Sequence, residues 1–244
     1  MPDPRKIYIG YDPIDHKAYQ VAETSLRNHA SVPVYVLPLK DWELRKKGIF
    51  WRPHFVEGCG QKYDGRDGKP FSTAFSFTRF VIPILEKYDS GWVLFTDPDV
   101  LWRADIAELW DSFDESKAVM CVQHNHNPSE HIKGMGVQTR YHRKNWSSVM
   151  AFNCYRNKDL TKYALNNMSG SWLHAMNWLK DEEIGELPEK WNFLVGYSDP
   201  EIDAKIAHFT LGTPDMEGYE DSQYADEWWN VYRNRNVTLL SELL

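Results

Sequence analysis

The chain lacks a basic footprint. Its 28 Lys and Arg against 35 Asp and Glu leave a net charge of −7, which excludes a surface built to neutralise nucleic-acid phosphates. It lacks a cysteine framework. Cys59, Cys121 and Cys154 are odd in number and widely spaced, so neither a disulfide scaffold nor a zinc site is expected, and a reducing, cytoplasmic setting fits. No apolar run approaches the roughly 20 residues that a membrane span needs. Met1-Pro2-Asp3-Pro4-Arg5-Lys6 leads at once into a strand, with no apolar region of a signal peptide. The sequons at Asn145, Asn167 and Asn236 are therefore expected to carry nothing. There is no internal repeat and no low-complexity linker. What is abundant is aromatic: 14% of the chain, with 11 Trp, more than a core of this size needs, so some rings are expected to line a groove. At 244 residues the chain can bury a real core, and residues 1–244 read as a single domain.

The reading centres on Gly91 to Trp102. Val93 to Phe95 is an apolar run too short for a helix and rich in strand formers. It ends in Asp97-Pro98-Asp99. Side chains two apart on extended chain point the same way, so both carboxylates can face one spot. Pro98 cannot donate to a ladder, so the strand should stop there. Two carboxylates at the end of a buried strand are costly unless something positive sits between them. A divalent cation with positions left for phosphate oxygens would serve. A turn with two solvated acids would carry the same tripeptide. The flanks favour a strand-to-helix junction, where α/β sites are built, because Asp105 to Trp110 reads as an amphipathic turn.

In chain order, Lys6 to Tyr11 reads as a strand that stops at Gly10. Asp12-Pro13 is a turn, and Asp15 can cap a helix from His16 to about Asn28. Val34 to Leu39 is a second strand, which completes a βαβ unit and points to a parallel sheet. Trp42 to Lys47 reads as a short helix. Gly48 to Pro70, rich in Gly, Pro and charge, reads as a long excursion or flap. Phe71 to Tyr88 has helical apolar spacing, with Pro83 inside it. Arg79 sits on this segment. It is either a snorkelling or acid-paired arginine, or one aimed at an anion held near Asp97 and Asp99. Ala118 to Val122 is a strand leading to His124, His126 and His131, a polar loop more often than a metal site. Lys133 to Asn145 reads as surface loop. Trp146 to Tyr155 is strand-like, with Ser147 and Ser148 at its mouth, where their hydroxyls could bond a sugar or simply cap the chain. Asp159 to Asn167 and Ser171 to Leu179 read as helices, and Asp181-Glu182-Glu183 as an acidic turn. Trp191 to Tyr197 and Lys205 to Phe209 read as short strands, the second ending near His208. Gly212 and Pro214 mark a turn whose amides could face a phosphate. Tyr224 to Asn234 reads as a helix docking through Trp228, Trp229 and Tyr232.

These pieces resemble a glycosyltransferase family. Ile7-Tyr8-Ile9-Gly10-Tyr11-Asp12, Ser76-Phe77-Thr78-Arg79-Phe80 and Asp97-Pro98-Asp99 look like a GT-A glycosyltransferase. His208-Phe209-Thr210-Leu211-Gly212, with Trp191-Asn192 upstream, is similar to the closing element of family 8, the glycogenin and lipopolysaccharide galactosyltransferase family. The ordered set spans residues 6 to 214. The resemblance implies an α/β fold, a Rossmann-like and mostly parallel sheet flanked by helices, and retaining transfer from a nucleotide-diphosphate sugar. It implies that Asp97, Asp99 and His208 ligate Mn²⁺ or Mg²⁺. It also implies that Gly10, Tyr11 and Asp12 hold the nucleoside of a UDP-sugar and that Arg79 contacts the donor. Gly212 would let the C-terminal loop close on the diphosphate. The acceptor would be a glycan, glycolipid or glycoprotein.

Three departures from the family stand out. Trp146-Ser147-Ser148 replaces Asn-Ser-Gly, which leaves the donor sugar open. The Asp-Gln pair beside the reacting carbon has Asp181-Glu182 as its nearest match, with His174 second. The family's Lys-Pro is here Thr213-Pro214. A nucleotidyltransferase making sugar nucleotides remains an alternative. However, Gly10-Tyr11-Asp12-Pro13-Ile14-Asp15 is acidic and has one glycine, where that class wants a glycine-rich basic loop. A carbohydrate-binding protein without catalysis is the other alternative, motivated by the aromatic excess.

Overall fold

The computed structural model describes residues 4–58, 60–125, 132–133, 136–137, 143 and 145–241, with side chains left out at 132–133, 136–137 and 236–241. Cys59, His126, His131 and most of the loop between Asn125 and Arg143 lie outside the described residues.

The first strand, β1 (Arg5–Tyr11), pairs in parallel with β2 (Val34–Lys40) through the crossover helix α1 (His16–His29). Asp15 holds the N-cap position of α1 without a side-chain cap bond, and the turn before it is capped by Asp12. Its Oδ1 accepts from the Ile14 amide and opens a 3-10 turn that runs into α1. After α2 (Asp41–Lys46), the expected excursion is itself ordered: β3 (His54–Val56), β4 (Lys62–Asp64) and β5 (Pro70–Phe71) form a small antiparallel sheet.

The expected helix from Phe71 to Tyr88 is broken. Phe71 belongs to β5, and the helical part is α3 (Phe75–Thr78), a 3-10 turn over Arg79–Val81, and α4 (Ile82–Leu85). Pro83 has no N–H for the Arg79 carbonyl, so the chain tightens there. The next elements are β6 (Trp92–Thr96), β7 (Val100–Trp102), α5 (Ile106–Trp110) and β8 (Val119–Val122). A short ladder, β9 (Ile132–Lys133) with β10 (Gly136–Val137), comes before β11 (Val149–Asn153). Residues 145–148 are thus a turn and not the start of a strand. The two helices after it shorten to α6 (Lys162–Asn167) and α7 (Gly170–His174), the latter ended by Met176 in the left-handed region at φ 54°. The chain closes with β12 (Ile184–Leu187), a 3-10 turn over Glu189–Asn192, β13 (Phe193–Leu194), β14 (Ile206–His208) and α8 (Ala225–Ser241).

The central sheet has the order β12-β8-β11-β6-β1-β2. All its pairings are parallel except those of β11, which runs antiparallel to both β6 and β8. This is the expected α/β sheet, mostly parallel and flanked by helices. A second sheet, β13-β14-β7, sits at its carboxyl edge. One apolar cluster packs on the face of α3 and α4, with Phe75, Phe80, Phe95 and Phe152. Another packs on the α1 face, with Ile7, Ile9, Leu26 and Trp102. The largest aromatics are spent here: Trp102, Trp191 and Trp228 are fully buried.

Candidate functional site

Local rules bring the acids together with His208. The apolar β6 ends at Thr96, and Pro98 keeps the next residues off the ladder, so Asp97 and Asp99 flank a sharp bend between β6 and β7. β7 then pairs antiparallel with β14, which sets His208 opposite Val100. The Phe209 amide donates to the Asp99 carbonyl at 2.9 Å and fixes that register. As a result Asp97, Asp99 and His208 each offer a ligand atom within 4.8 Å of the others. The His208 Nε2 lies 3.4 Å from Asp99 Oδ1. The set fits a divalent cation in chemistry as well as spacing, with two carboxylates and one imidazole, and Asp97 and His208 both buried.

Arg79 supplies the neighbouring charge. Its Nη2 lies 2.9 Å from Asp97 Oδ1, and its Nη1 donates to Asp97 Oδ2 at 3.3 Å and to the Ser147 carbonyl at 2.7 Å. Of the two readings of Arg79, the structure shows the acid-paired one, with the guanidinium buried beside the cluster. Burial is the largest influence on Asp97 and pushes its carboxyl above the ordinary range. Arg79, His208 and a hydrogen bond from Ser148 oppose that rise, and Asp99 adds to it. The Asp97 amide in turn donates to the Ser148 carbonyl at 2.8 Å. Ser147 Oγ lies 3.1 Å from His174 Nδ1.

A cavity of about 900 Å³ opens from this cluster. Asp12, Arg79, Asp97, Asp99, Ser148, His174, His208 and Gly212 all line it. Its aromatic walls are Phe71, Phe75, Phe77, Phe209 and Tyr219, with no tryptophan among them. Gly10 does not line it. A Cβ there would stand 2.7 Å from the Phe75 ring, so the glycine makes room for a wall of the cavity. Gly212 likewise makes room for Tyr219. Tyr11 is also off the cavity, its ring wedged edge-on against Tyr19 and Trp42, with Lys40 over its face. Asp12 Oδ2 accepts from the Ala74 amide at 2.9 Å and lies 3.7 Å from Lys62.

Asp181 and Glu182 are not brought to the cavity. They open the turn before β12, at the amino end of the strand, whereas Asp97 follows the carboxyl end of β6. The Asp181 carboxylate is 88% exposed and pairs with Arg143 at 2.5 Å. His174, the second choice from sequence, does line the cavity. Lys62, Asp67 and Lys69 of the flap line it too and were not singled out from sequence. Their signal was weak, because alternation within so short a hairpin shows which face is inside only once the pairing partner is known.

No protein-family model matches the chain. Among solved structures, the bifunctional glycosyltransferase WbbM in its apo form superposes with a TM-score of 0.62 at 15% identity, covering 96% of this chain and 50% of its own, so the chain spans half of that protein. The apo form of the glycosyltransferase GlyE of Streptococcus pneumoniae TIGR4 gives 0.59 at 15% identity, over 99% of this chain and 63% of GlyE. The galactosyltransferase LgtC, solved with donor and acceptor sugar analogs, gives 0.56 at 11% identity, over 94% of this chain and 95% of LgtC. At these identities the likeness is one of fold, and the fold is GT-A. In sequence, Protein CDI of Arabidopsis thaliana is 42% identical over 241 residues, covering 96% of this chain and 88% of that protein. Identity at that level over nearly the whole length establishes kinship: built on the GT-A fold, this protein belongs to the family of Protein CDI.

Proposed function

We propose that this protein is a metal-dependent glycosyltransferase. It moves a sugar from a nucleotide-diphosphate sugar, a UDP-sugar, to a hydroxyl of a glycan, glycolipid or glycoprotein acceptor, with retention. The observation that carries this reading is the Asp97, Asp99 and His208 cluster on the wall of the cavity, with the Arg79 guanidinium beside it. Asp97, Asp99 and His208 are the residues to hold Mn²⁺ or Mg²⁺, which when bound neutralises charge on the departing diphosphate. Arg79 adds a second, permanently charged group on the same side. The turn at Gly212 offers amide donors to phosphate oxygens, and the Ser148 hydroxyl holds Asp97 in place beside them. We assign His174, on the cavity wall, beside the reacting carbon. Retention rests on the resemblance of His208-Phe209-Thr210-Leu211-Gly212 to family 8. That the solved neighbours are themselves glycosyltransferases supports the class.

Thermal shift with UDP, GDP and CDP, each with and without Mn²⁺, tests the reading. A nucleotide at a hundred times its Kd stabilises by about 2.7 kcal/mol, which for a chain of this size is a rise of roughly 5–10 °C. The expected result is such a rise with UDP that needs Mn²⁺ and disappears in Asp97→Ala. Sugar binding that needs neither nucleotide nor Asp97 would instead make this a carbohydrate-binding protein.

A further inference from the structure

We propose that Asn192 is a positioning residue that sets the tautomer of His208 and so turns its Nε2 lone pair toward the two carboxylates. The inference rests on the metal-binding reading above. Asn192 is fully buried. Its Nδ2 donates to the Asn145 carbonyl at 3.0 Å. A carbonyl oxygen can only accept, so the amide has one orientation, and Oδ1 must face the other way. That oxygen lies 2.9 Å from His208 Nδ1. An amide oxygen also only accepts, so Nδ1 carries the hydrogen. A neutral imidazole has one N–H, which leaves the lone pair on Nε2, the nitrogen 3.4 Å from Asp99 Oδ1. A lone pair set against a carboxylate oxygen is repulsive until a cation lies between them. The outer hydrogen bond thus prepares the imidazole as a ligand, as partners of metal-binding histidines do.

The chain is built to hold this bond. The 3-10 turn over Glu189–Asn192 runs directly into β13, where Leu194 stands opposite His208. Asn145 sits at φ 65°, in the left-handed region that asparagine tolerates. Its carbonyl belongs to the same turn whose Ser147 carbonyl receives Arg79 and whose Ser148 carbonyl receives the Asp97 amide. One four-residue turn, 145–148, therefore holds Arg79 and Asp97 directly and His208 through Asn192.

Two measurements test the inference. The first is ¹⁵N NMR of the imidazoles in metal-free protein at alkaline pH, with His208 assigned by its loss in His208→Ala. The expected result is an Nδ1–H tautomer in wild type and a mixture in Asn192→Ala. An Nε2–H tautomer in wild type, or no change in the variant, overturns the proposal whatever the enzyme does. The second is Mn²⁺ titration followed by electron paramagnetic resonance. Asn192→Ala should weaken Mn²⁺ binding by about 10- to 100-fold and should add nothing to the loss in His208→Ala. Asn192→Asp keeps an acceptor for Nδ1–H at nearly the same size, although its second oxygen meets the Asn145 carbonyl at a cost in stability, and the folded variant should bind Mn²⁺ more tightly than Asn192→Ala. It also carries the test should Asn192→Ala not fold, since an aspartate as damaging as His208→Ala overturns the inference. Binding that Asp97→Ala abolishes but folded Asn192→Ala leaves intact overturns this inference alone. A wild type that binds no Mn²⁺ overturns the metal reading and this inference with it.

Discussion

Two buried arginine–aspartate pairs flank α3, one on each of its phenylalanines. Arg52 lies 4.4 Å over Phe77 and meets Asp64 squarely, Nε to one oxygen at 2.7 Å and Nη2 to the other at 2.6 Å. Its Nη1 donates to the Leu165 carbonyl at 3.1 Å, and both side chains are 1% exposed. Arg79 lies 5.6 Å from the centre of Phe75 and meets Asp97 less squarely, at 2.9 and 3.3 Å, while sharing Nη1 with Ser147. Burial pushes both carboxyls upward, and in each case the arginine opposes it. The direction of titration does not separate the two pairs, but geometry does. Asp64 faces a complete fork, and its partner Arg52 joins the flap to α6. Asp97 faces an incomplete fork, a second carboxylate and an imidazole, and it lines a cavity. Saturated bonding marks a fastening, and bonding left open toward a cavity marks a site.

The sharpest way to break this contrast is Asp97→Ala. It removes a proposed metal ligand and leaves the buried Arg79 with neutral partners only. Transfer should fall by about a thousandfold or more, the several kcal/mol that a metal contributes to the transition state. The melting temperature should fall less than in Arg52→Ala, because Arg79 keeps the Ser147 carbonyl and the repulsion between Asp97 and Asp99 is relieved. Near-native turnover at saturating Mn²⁺ would make Asp97 another structural acid. The opposite behaviour is expected of Arg52→Ala, which strands the buried Asp64. Breaking a buried pair from one side costs about 3–5 kcal/mol, a drop of roughly 6–20 °C. The Mn²⁺ affinity of the molecules still folded should be unchanged, and equilibrium unfolding with a parallel Mn²⁺ titration checks both.

Arg79→Lys tests the site half of the contrast more finely. Lysine keeps the charge but loses the planar fork that reaches Asp97 and Ser147 together. A charged hydrogen bond is worth about 1.5–3 kcal/mol, so turnover should fall roughly 10- to 150-fold. Arg52→Lys should cost more stability than Arg79→Lys, since it gives up the more complete fork. Equal stability losses with unchanged turnover in Arg79→Lys would erase the distinction between the pairs.

How much of this was legible in the sequence depends on the range of the interaction involved. The parallel β1-α1-β2 unit and the Asp97-Pro98-Asp99 bend were readable because alternation, turn chemistry and a proline act over a few residues. The helix expected from Phe71 to Tyr88 failed where a tertiary demand competed: Phe71 found a strand partner in Lys62, and Pro83 withheld the bond that would have continued the helix past Arg79. Resemblance to the family's Asp-Gln pair suggested Asp181 for the chemistry, yet strand direction put it at the amino end of β12, toward solvent. The roles of Asn145, of the Ser147 carbonyl and of Asn192 were not readable as chemistry. Each acts through a hydrogen bond to a residue 27 or more positions away, or, for Asn192 and His208, 16 positions away. No pattern within a window of the chain encodes such a bond.

The smallest effect comes from a third buried acid, Glu86, a control on the rule that saturation means structure. Lys6 and Ser90 donate to its Oε2 at 2.7 and 2.8 Å, and Tyr8 donates to Oε1 at 2.8 Å. Burial alone would raise its carboxyl, but those three donors outweigh it and hold the group below its ordinary value. Burial and that same bond push the Tyr8 hydroxyl upward. A carboxyl lowered on folding contributes stability that is fully present above its unfolded value of about 4.3 and is lost as pH falls through the folded value. The stability difference between wild type and Glu86→Gln should therefore be flat above about pH 5, of the order of 1 kcal/mol, and should shrink in more acid solution. Urea unfolding of both proteins across the acid range measures it. Mn²⁺ binding should not respond, because Glu86 lies on the α4 side of β1 and does not line the cavity. A difference that grows toward acid pH would mean that Glu86 is protonated in the fold, and that three donors around a carboxylate do not make it a fastening after all.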